Sequence, residues 1–252
     1  MNLTELTGMT ALVTGASGDI GRAISKKLCS YGAGLVLWDI DREGLQRASI
    51  DLDHKCHVDC LDITNPDAIS AAAANVESTF GGLDILVNCA GIVHPHKLTW
   101  TLTPELFHEV LNVNLTGAFL CIRAFVPQLL DRQETHGRAR IVNMASYLGC
   151  EPQGFDSAYA ASKAGLIALT KSLARELAPN GLLVNCVAPT VVESRMGKDV
   201  PTAVLQEKLK RIPLGRLARA DEVASMVAWL CSSECSFTTG GVFDVSGGRA
   251  SN

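Results

Sequence analysis

Apolar and polar positions follow two alternating rhythms along the chain: short, nearly unbroken apolar runs, and longer stretches whose apolar residues recur at helical intervals. The first run, Thr10-Ala-Leu-Val-Thr14, leads through a Gly-rich turn into an amphipathic stretch from Asp19 to Tyr31. Leu35-Val-Leu-Trp38, closed by Asp39, and Cys56-His-Val-Asp59 read as the second and third strands, with a helix from Asp41 to Ile50 between them. Asn65-Pro66 starts a helix that runs through an Ala-rich stretch to Phe80, a first turn being where proline is tolerated. Ile85-Leu-Val-Asn88 is a fourth strand, and Thr103-Pro104 opens a long helix toward Leu130. Arg140-Ile-Val-Asn-Met144, Leu182-Leu-Val-Asn-Cys-Val187 and Val242-Phe-Asp-Val245 complete seven strands, the last preceded by a helix from Asp221 to Cys231. Unbroken apolar strands are expected where both faces of a parallel sheet are covered. The pattern predicts a single α/β domain over residues 1–252, a doubly wound fold on a seven-stranded parallel sheet. Thr190 to Arg219, with Pro201 and Pro213, is the least regular part and is predicted to form a substrate lid.

Composition narrows the function classes. Hydrophobic residues make up 47% of the chain and aromatics only 5%, a balance suited to helices packed tightly on a sheet. The net charge of −4 and the lack of any Lys/Arg run argue against nucleic acid or an anionic membrane as partner. No apolar run reaches transmembrane length, and Met-Asn-Leu-Thr-Glu-Leu-Thr lacks the basic and apolar parts of a signal peptide, so a cytoplasmic protein is expected. The nine cysteines are scattered; Cys56/Cys60 and Cys231/Cys235 have no histidines arranged as a zinc site needs, so no metal is expected and the thiols read as reduced.

Two stretches carry candidate chemistry. Thr14-Gly-Ala-Ser-Gly-Asp-Ile-Gly21 lies between the first strand and its helix, where glycines let the backbone turn sharply and approach a pyrophosphate on the positive helix end. That is the Rossmann arrangement. Asp39 ends the second strand, where a carboxylate accepts both hydroxyls of an adenine ribose and repels a 2′-phosphate; with no Arg or Lys between Gly15 and Gly21, NAD is favoured over NADP. Asp41 is a rival for that role, and Asp62 reads either as a partner for an adenine edge or as a helix-capping residue. In the second stretch, Tyr159 and Lys163 stand four apart in an Ala/Leu-rich helical run, which puts them on one face, one turn from each other. Such a pair is either a surface coincidence or a phenol tuned for acid/base work by a neighbouring cation.

The ordered set of motifs resembles the short-chain dehydrogenase/reductase family, of its compact classical kind, over essentially the whole chain. The Gly-rich loop matches that family's cofactor loop, Asn88-Cys-Ala-Gly91 its Asn-Asn-Ala-Gly stretch with one change, and Asn112-Val-Asn114 the motif of its helix asparagine. Ser146 follows the fifth strand, thirteen residues before Tyr159, and Tyr159 and Lys163 match Tyr-x-x-x-Lys. The resemblance implies Tyr159 as general base or acid and Ser146 as the group that orients the substrate oxygen. It implies that Lys163 lowers the phenol's pKa and holds the nicotinamide ribose, and that Asn114 holds a water on a proton path. The implied cofactor residues are Gly15, Ser17, Gly18, Asp19, Ile20 and Gly21, then Asp39, Asp62, Ile63, Asn88, Ala90 and Gly91, then Tyr159, Lys163, Pro189, Thr190, Val192 and Ser194.

Two departures stand out: Cys89 in place of Asn, expected to change little, and Thr190 where the family has Gly, which adds a hydroxyl to the pocket. Pro189-Thr-Val-Val192 resembles the carbonyl and xylulose reductase branch, whose members tend to prefer NADP(H), so that hint bears on substrate and not on cofactor. By position, substrate contacts are expected from Ser146, Tyr159, His94 and Glu151, with His96, Tyr147, Leu148, Phe155, Arg195 and Met196 nearby. These features imply an NAD(H)-dependent enzyme that interconverts a secondary alcohol and a ketone on a small polyol or sugar. The alternatives are a 3-oxoacyl carrier-protein-type reductase and a non-catalytic cofactor-sensing scaffold. The family resemblance of the closing segment Phe243–Gly248 implies a homotetramer.

Overall fold

The computed structural model describes residues 5–52, 56–193 and 209–250. Seven parallel strands lie in the order β3-β2-β1-β4-β5-β6-β7, with β1 at Thr10–Thr14, β2 at Gly34–Asp39, β3 at Cys56–Cys60, β4 at Ile85–Asn88, β5 at Arg140–Met144, β6 at Leu183–Pro189 and β7 at Val242–Val245. The helices are α1 (Asp19–Ser30), α2 (Arg42–Ile50), α3 (Pro66–Phe80), α4 (Pro104–Leu111), α5 (Ala118–His136), α6 (Tyr147–Cys150), α7 (Ser157–Leu177) and α8 (Ala220–Cys231).

Why the apolar runs make strands shows in where their side chains go. Successive residues of a strand point to opposite faces. On β1 and β2, Ala11, Val13, Leu35 and Leu37 join Ile24 and Leu28 of α1 and Val223 and Val227 of α8. The intervening Leu12, Val36 and Trp38 join Ile69 of α3 and Phe125 and Leu129 of α5. Trp38 is fully buried, its ring 5.4 Å from that of Phe125. Both faces are therefore core, which explains why these strands are apolar throughout.

The structure differs from the sequence pattern in four places. The helix expected to end near Leu130 continues to His136 and is interrupted by a π-helical segment, Asn112–Gly117. By length and composition the stretch Pro104–His136 is apolar enough to cross a membrane, with mean hydropathy of 1.4 in its best window, contrary to the expectation that no segment qualifies. That expectation counted unbroken apolar residues, whereas this stretch is broken by Asn112, Asn114 and Arg123; its apolar side, Cys121, Ile122, Phe125 and Leu129, is buried against the sheet layer. The four-residue helix α6 is too short to leave a periodic signal. At the described ends of the expected lid, Val192 bridges Ala218 and the Glu193 N–H donates to the Ala218 carbonyl at 2.8 Å. Residues 194–208, with Ser194, Arg195, Met196 and Pro201, lie outside the described residues.

Candidate active site

Strand order reverses between β1 and β4, and a cleft of about 760 Å³ opens at the carboxyl ends there, where ligands of doubly wound sheets bind. Its floor depends on missing side chains. Gly15 has φ +67°, and a Cβ on it would stand 2.7 Å from Ala90 Cα; a Cβ on Gly21 would stand 2.2 Å from the Gly15 carbonyl oxygen. The Thr14 hydroxyl accepts the N–H groups of Cys89 (3.0 Å) and Ala90 (3.1 Å), joining the end of β1 to the loop after β4. Gly18 caps α1 without a side-chain hydrogen bond, and the positive end of this helix faces the cleft, where an anion is favoured. This cradle fits a dinucleotide pyrophosphate.

The two candidate acids separate by what they already hold. Asp41 is the N-cap of α2, accepting from Gly44 N at 3.0 Å, and lies 3.5 Å from Arg47. Asp39 lines the cleft and accepts the N–H of Ser17 at 3.0 Å, which ties it to the Gly-rich loop. Arg22 pairs with Asp51, and Lys163 is the only basic side chain among the described residues that line the cleft. A carboxylate with no neighbouring cation suits a ribose 2′-hydroxyl and opposes a 2′-phosphate. Asp62 also lines the cleft and at the same time closes a turn, Oδ1 accepting from Thr64 N and Oγ1, both at 2.8 Å. Asn88 does not line the cleft. It is buried and donates to Asn143 Oδ1 at 2.8 Å, while Asn143 donates to Thr170 on α7 at 2.9 Å. With Ser194 undescribed, every other residue of the expected cofactor set lines the cleft.

Ser146, Tyr159 and Lys163 converge at one end of the cleft. Ser146 leaves β5 and caps α6, accepting from Leu148 N at 3.2 Å. Burial pushes the Tyr159 phenol up, and its hydrogen bond with Ser146 pulls it back. Lys163 Nζ lies 5.7 Å from the Tyr159 ring centre and donates to the Met144 carbonyl at 2.7 Å. Burial pushes Lys163 down to about 8. The lowering contact that acts directly on the phenol is the Ser146 hydroxyl, while the Lys163 ammonium stands beside the ring and is hydrogen-bonded to a backbone carbonyl.

Asn114 makes three hydrogen bonds. Its Oδ1 accepts from Ile92 N at 2.7 Å, and its Nδ2 donates to Ile92 O at 2.9 Å and to Ser162 Oγ at 3.0 Å. The side chain clamps the cleft wall: both Nδ2 hydrogens are used, and the second lone pair of Oδ1 is what the side chain has left to offer a water. Gly91 sits against this clamp; a Cβ on it would stand 3.1 Å from Asn114 Oδ1 and 3.4 Å from Lys163 Nζ.

The expected substrate residues divide. Ser146 and Tyr159 line the cleft, whereas His94 and Glu151 are not among its lining residues. His94 is buried with Nδ1 2.8 Å from the Pro95 carbonyl, Glu151 ends α6, and His96 is exposed 3.5 Å from Asp156. The motifs did not mark Ile40 or Thr64, wall residues identified only by the segments that follow β2 and β3. Cys89 also lines the cleft, its thiol pushed up to about 12 by burial and therefore neutral, like the amide usual there.

Comparison with known proteins agrees with this geometry. Residues 15–250 match the family described as Enoyl-(Acyl carrier protein) reductase. The chain is 38% identical over 242 residues to the 2-dehydro-3-deoxy-L-rhamnonate dehydrogenase (NAD(+)) of Sphingomonas sp. (strain SKA58), covering 96% of this chain and 95% of that one. It is 37% identical over 244 residues to the 3-oxoacyl-(acyl-carrier-protein) reductase FabG of Vibrio cholerae, covering 97% and 98%. The crystal structure of a 3-ketoacyl-(acyl-carrier-protein) reductase from Brucella melitensis complexed with NADH superposes with a TM-score of 0.91 at 32% identity, covering 97% of this chain and 99% of that one.

Proposed function

The chain belongs to the classical short-chain dehydrogenase/reductase family, whose members here are oxidoreductases acting on CH–OH groups, and from that premise we propose an NAD(H)-dependent dehydrogenase that interconverts a secondary alcohol and a ketone on a small polyol or sugar-like substrate. The observation that carries the cofactor choice is Asp39, held on the Gly-rich loop through Ser17, with no basic side chain but Lys163 among the described residues that line the cleft. The NAD(+)-dependent sugar-acid relative supports the substrate size and polarity.

When bound, a nicotinamide supplies the hydride acceptor or donor. The chain's own residues handle the oxygen. The Ser146 hydroxyl holds the substrate oxygen, and Tyr159 takes its proton during oxidation or returns it during reduction. Lys163 stays charged at neutral pH, since about 8 lies above it, and offers its ammonium to a ribose hydroxyl.

Reduction of 3-oxoacyl thioesters is the second reading, favoured by the FabG-type relatives and the Brucella structure. A screen following reduced-nicotinamide absorbance over polyols, sugar acids, hydroxyacids and acyl thioesters separates the two. Turnover of hydroxylated substrates with NAD is the expected result; activity confined to acyl thioesters with NADPH would replace it with the second reading. A homotetramer belongs to the same proposal, supported by the family resemblance of the closing segment, and sedimentation measures it.

A further inference from the structure

Beyond the reacting groups, two arginines that the proposed reaction does not use stand behind that end of the cleft, outside its lining, and reach it through Thr190 and Tyr147. After β7 the chain turns through Gly247 (φ +68°) and Gly248 (φ +87°), which lie against Ile212 and Pro213, and the Leu214 N–H donates to the Gly247 carbonyl at 3.1 Å. That docking brings Arg249 beside Arg211. Both donate to one neutral acceptor, Gln153 Oε1, at 3.2 Å and 3.1 Å. The Arg249 guanidinium also lies over the Tyr147 ring, 4.1 Å from its centre, with one nitrogen 3.5 Å from Thr190 Oγ1. Tyr147 follows Ser146 in sequence and packs with Tyr159, and Thr190 lines the cleft.

The Arg249 Nε is buried without a partner, a donor that its local contacts leave open. Burial disfavours its charge, Arg211 disfavours it further, and the acid it senses, Asp156, sits by His96 at 3.5 Å. Among the described residues no carboxylate comes within ion-pair distance of either guanidinium. Two cations that share a neutral amide oxygen next to a reacting serine–tyrosine pair are complementary to an anion, and a planar guanidinium matches a carboxylate through two parallel hydrogen bonds.

We infer that Arg249, with Arg211 and Gln153, anchors a carboxylate of the substrate, so that the alcohol or ketone presented to Ser146 and Tyr159 belongs to a hydroxy acid or keto acid. The inference rests on the reading of this cleft as a site for a small hydroxylated substrate. It names the chemical class within that reading and makes Arg249 a specificity residue.

The test is calorimetric binding to the full chain, with and without NADH, using gluconate, its neutral counterpart sorbitol, and sorbitol 6-phosphate. Gluconate should bind at least tenfold more tightly than sorbitol. Arg249→Gln and Arg211→Gln should each reduce that preference several-fold or more, and Arg249→Lys should restore part of it, since charge returns without the fork. Arg211 is exposed, so its variant keeps the test sound if Arg249→Gln folds poorly. Equal affinity for gluconate and sorbitol, a preference for the phosphate ester over gluconate, or an unchanged preference in the folded variants overturns the anchor. A protein that prefers gluconate in this way but oxidises no polyol or sugar acid with NAD keeps the anchor and loses the proposed reaction.

Discussion

Lys163 Nζ donates to the Met144 carbonyl at 2.7 Å, which binds the middle of α7 to the last residue of β5. The ammonium is buried, and burial lowers its pKa from 10.5 to about 8. Between these values the unfolded chain holds a proton that the folded chain has lost, so this group makes the protein more stable as pH rises from 8 to 10.5. The expected size is up to about 3 kcal/mol. Urea unfolding of wild type and Lys163→Met across that range should show the gap moving toward wild type. A gap independent of pH would mean that Lys163 titrates normally.

Ser146 is the contact that lowers the Tyr159 phenol against the upward push of burial. Oxidation needs the phenolate as base and should rise with pH; reduction needs the phenol as acid and should fall. Ser146→Ala removes the lowering contact, so the midpoint of the oxidation profile should move to higher pH. The loss of an orienting hydrogen bond should also cut kcat/KM roughly 100-fold. A lower rate with an unmoved profile would reduce Ser146 to substrate orientation alone.

Asp39 and Asp41 make a matched pair of variants. Asp39→Ala should raise the KM for NAD about tenfold or more, the loss of a charge-assisted bond, and raise the NADP/NAD activity ratio. Asp41→Ala should leave that ratio alone and cost about 1 kcal/mol, because it removes the N-cap bond to Gly44. Steady-state kinetics with both cofactors, beside thermal melts, read the two effects. A ratio shift in Asp41→Ala would return the ribose role to that residue.

Much of this was legible because it is local. Several apolar strand runs, a Gly-rich turn after the first, and Tyr159 four residues before Lys163 are patterns within one element or its ends. What needed the fold joins distant segments. Asp41 stays a rival to Asp39 until one is seen capping α2 and the other holding Ser17. The partners of Asn114 at Ile92 lie twenty-two residues away, and no motif marks that clamp. Arg249 and Arg211 meet only because a Gly-Gly turn docks on Ile212 and Pro213, a contact without periodic signature. The Asn88 motif was recognised, but its amide turned out to join β4 to β5 beneath the cleft.

The Asn114 clamp gives the sharpest contrast between neighbours. Asn114→Ala leaves the N–H and carbonyl of Ile92 without their side-chain partner on a half-buried wall of the cleft, a loss of about 1–3 kcal/mol for the two bonds. Ile92 lines the cleft, so kcat should fall at least tenfold. Ser162→Ala removes one of the three bonds and leaves Ile92 held. It should cost about 1 kcal/mol and change kcat only a few-fold. Chemical unfolding and single-turnover kinetics on both variants separate the contributions. If Ser162→Ala proved as damaging as Asn114→Ala, the essential partner of the amide would be α7, and the hold on Ile92 would be incidental.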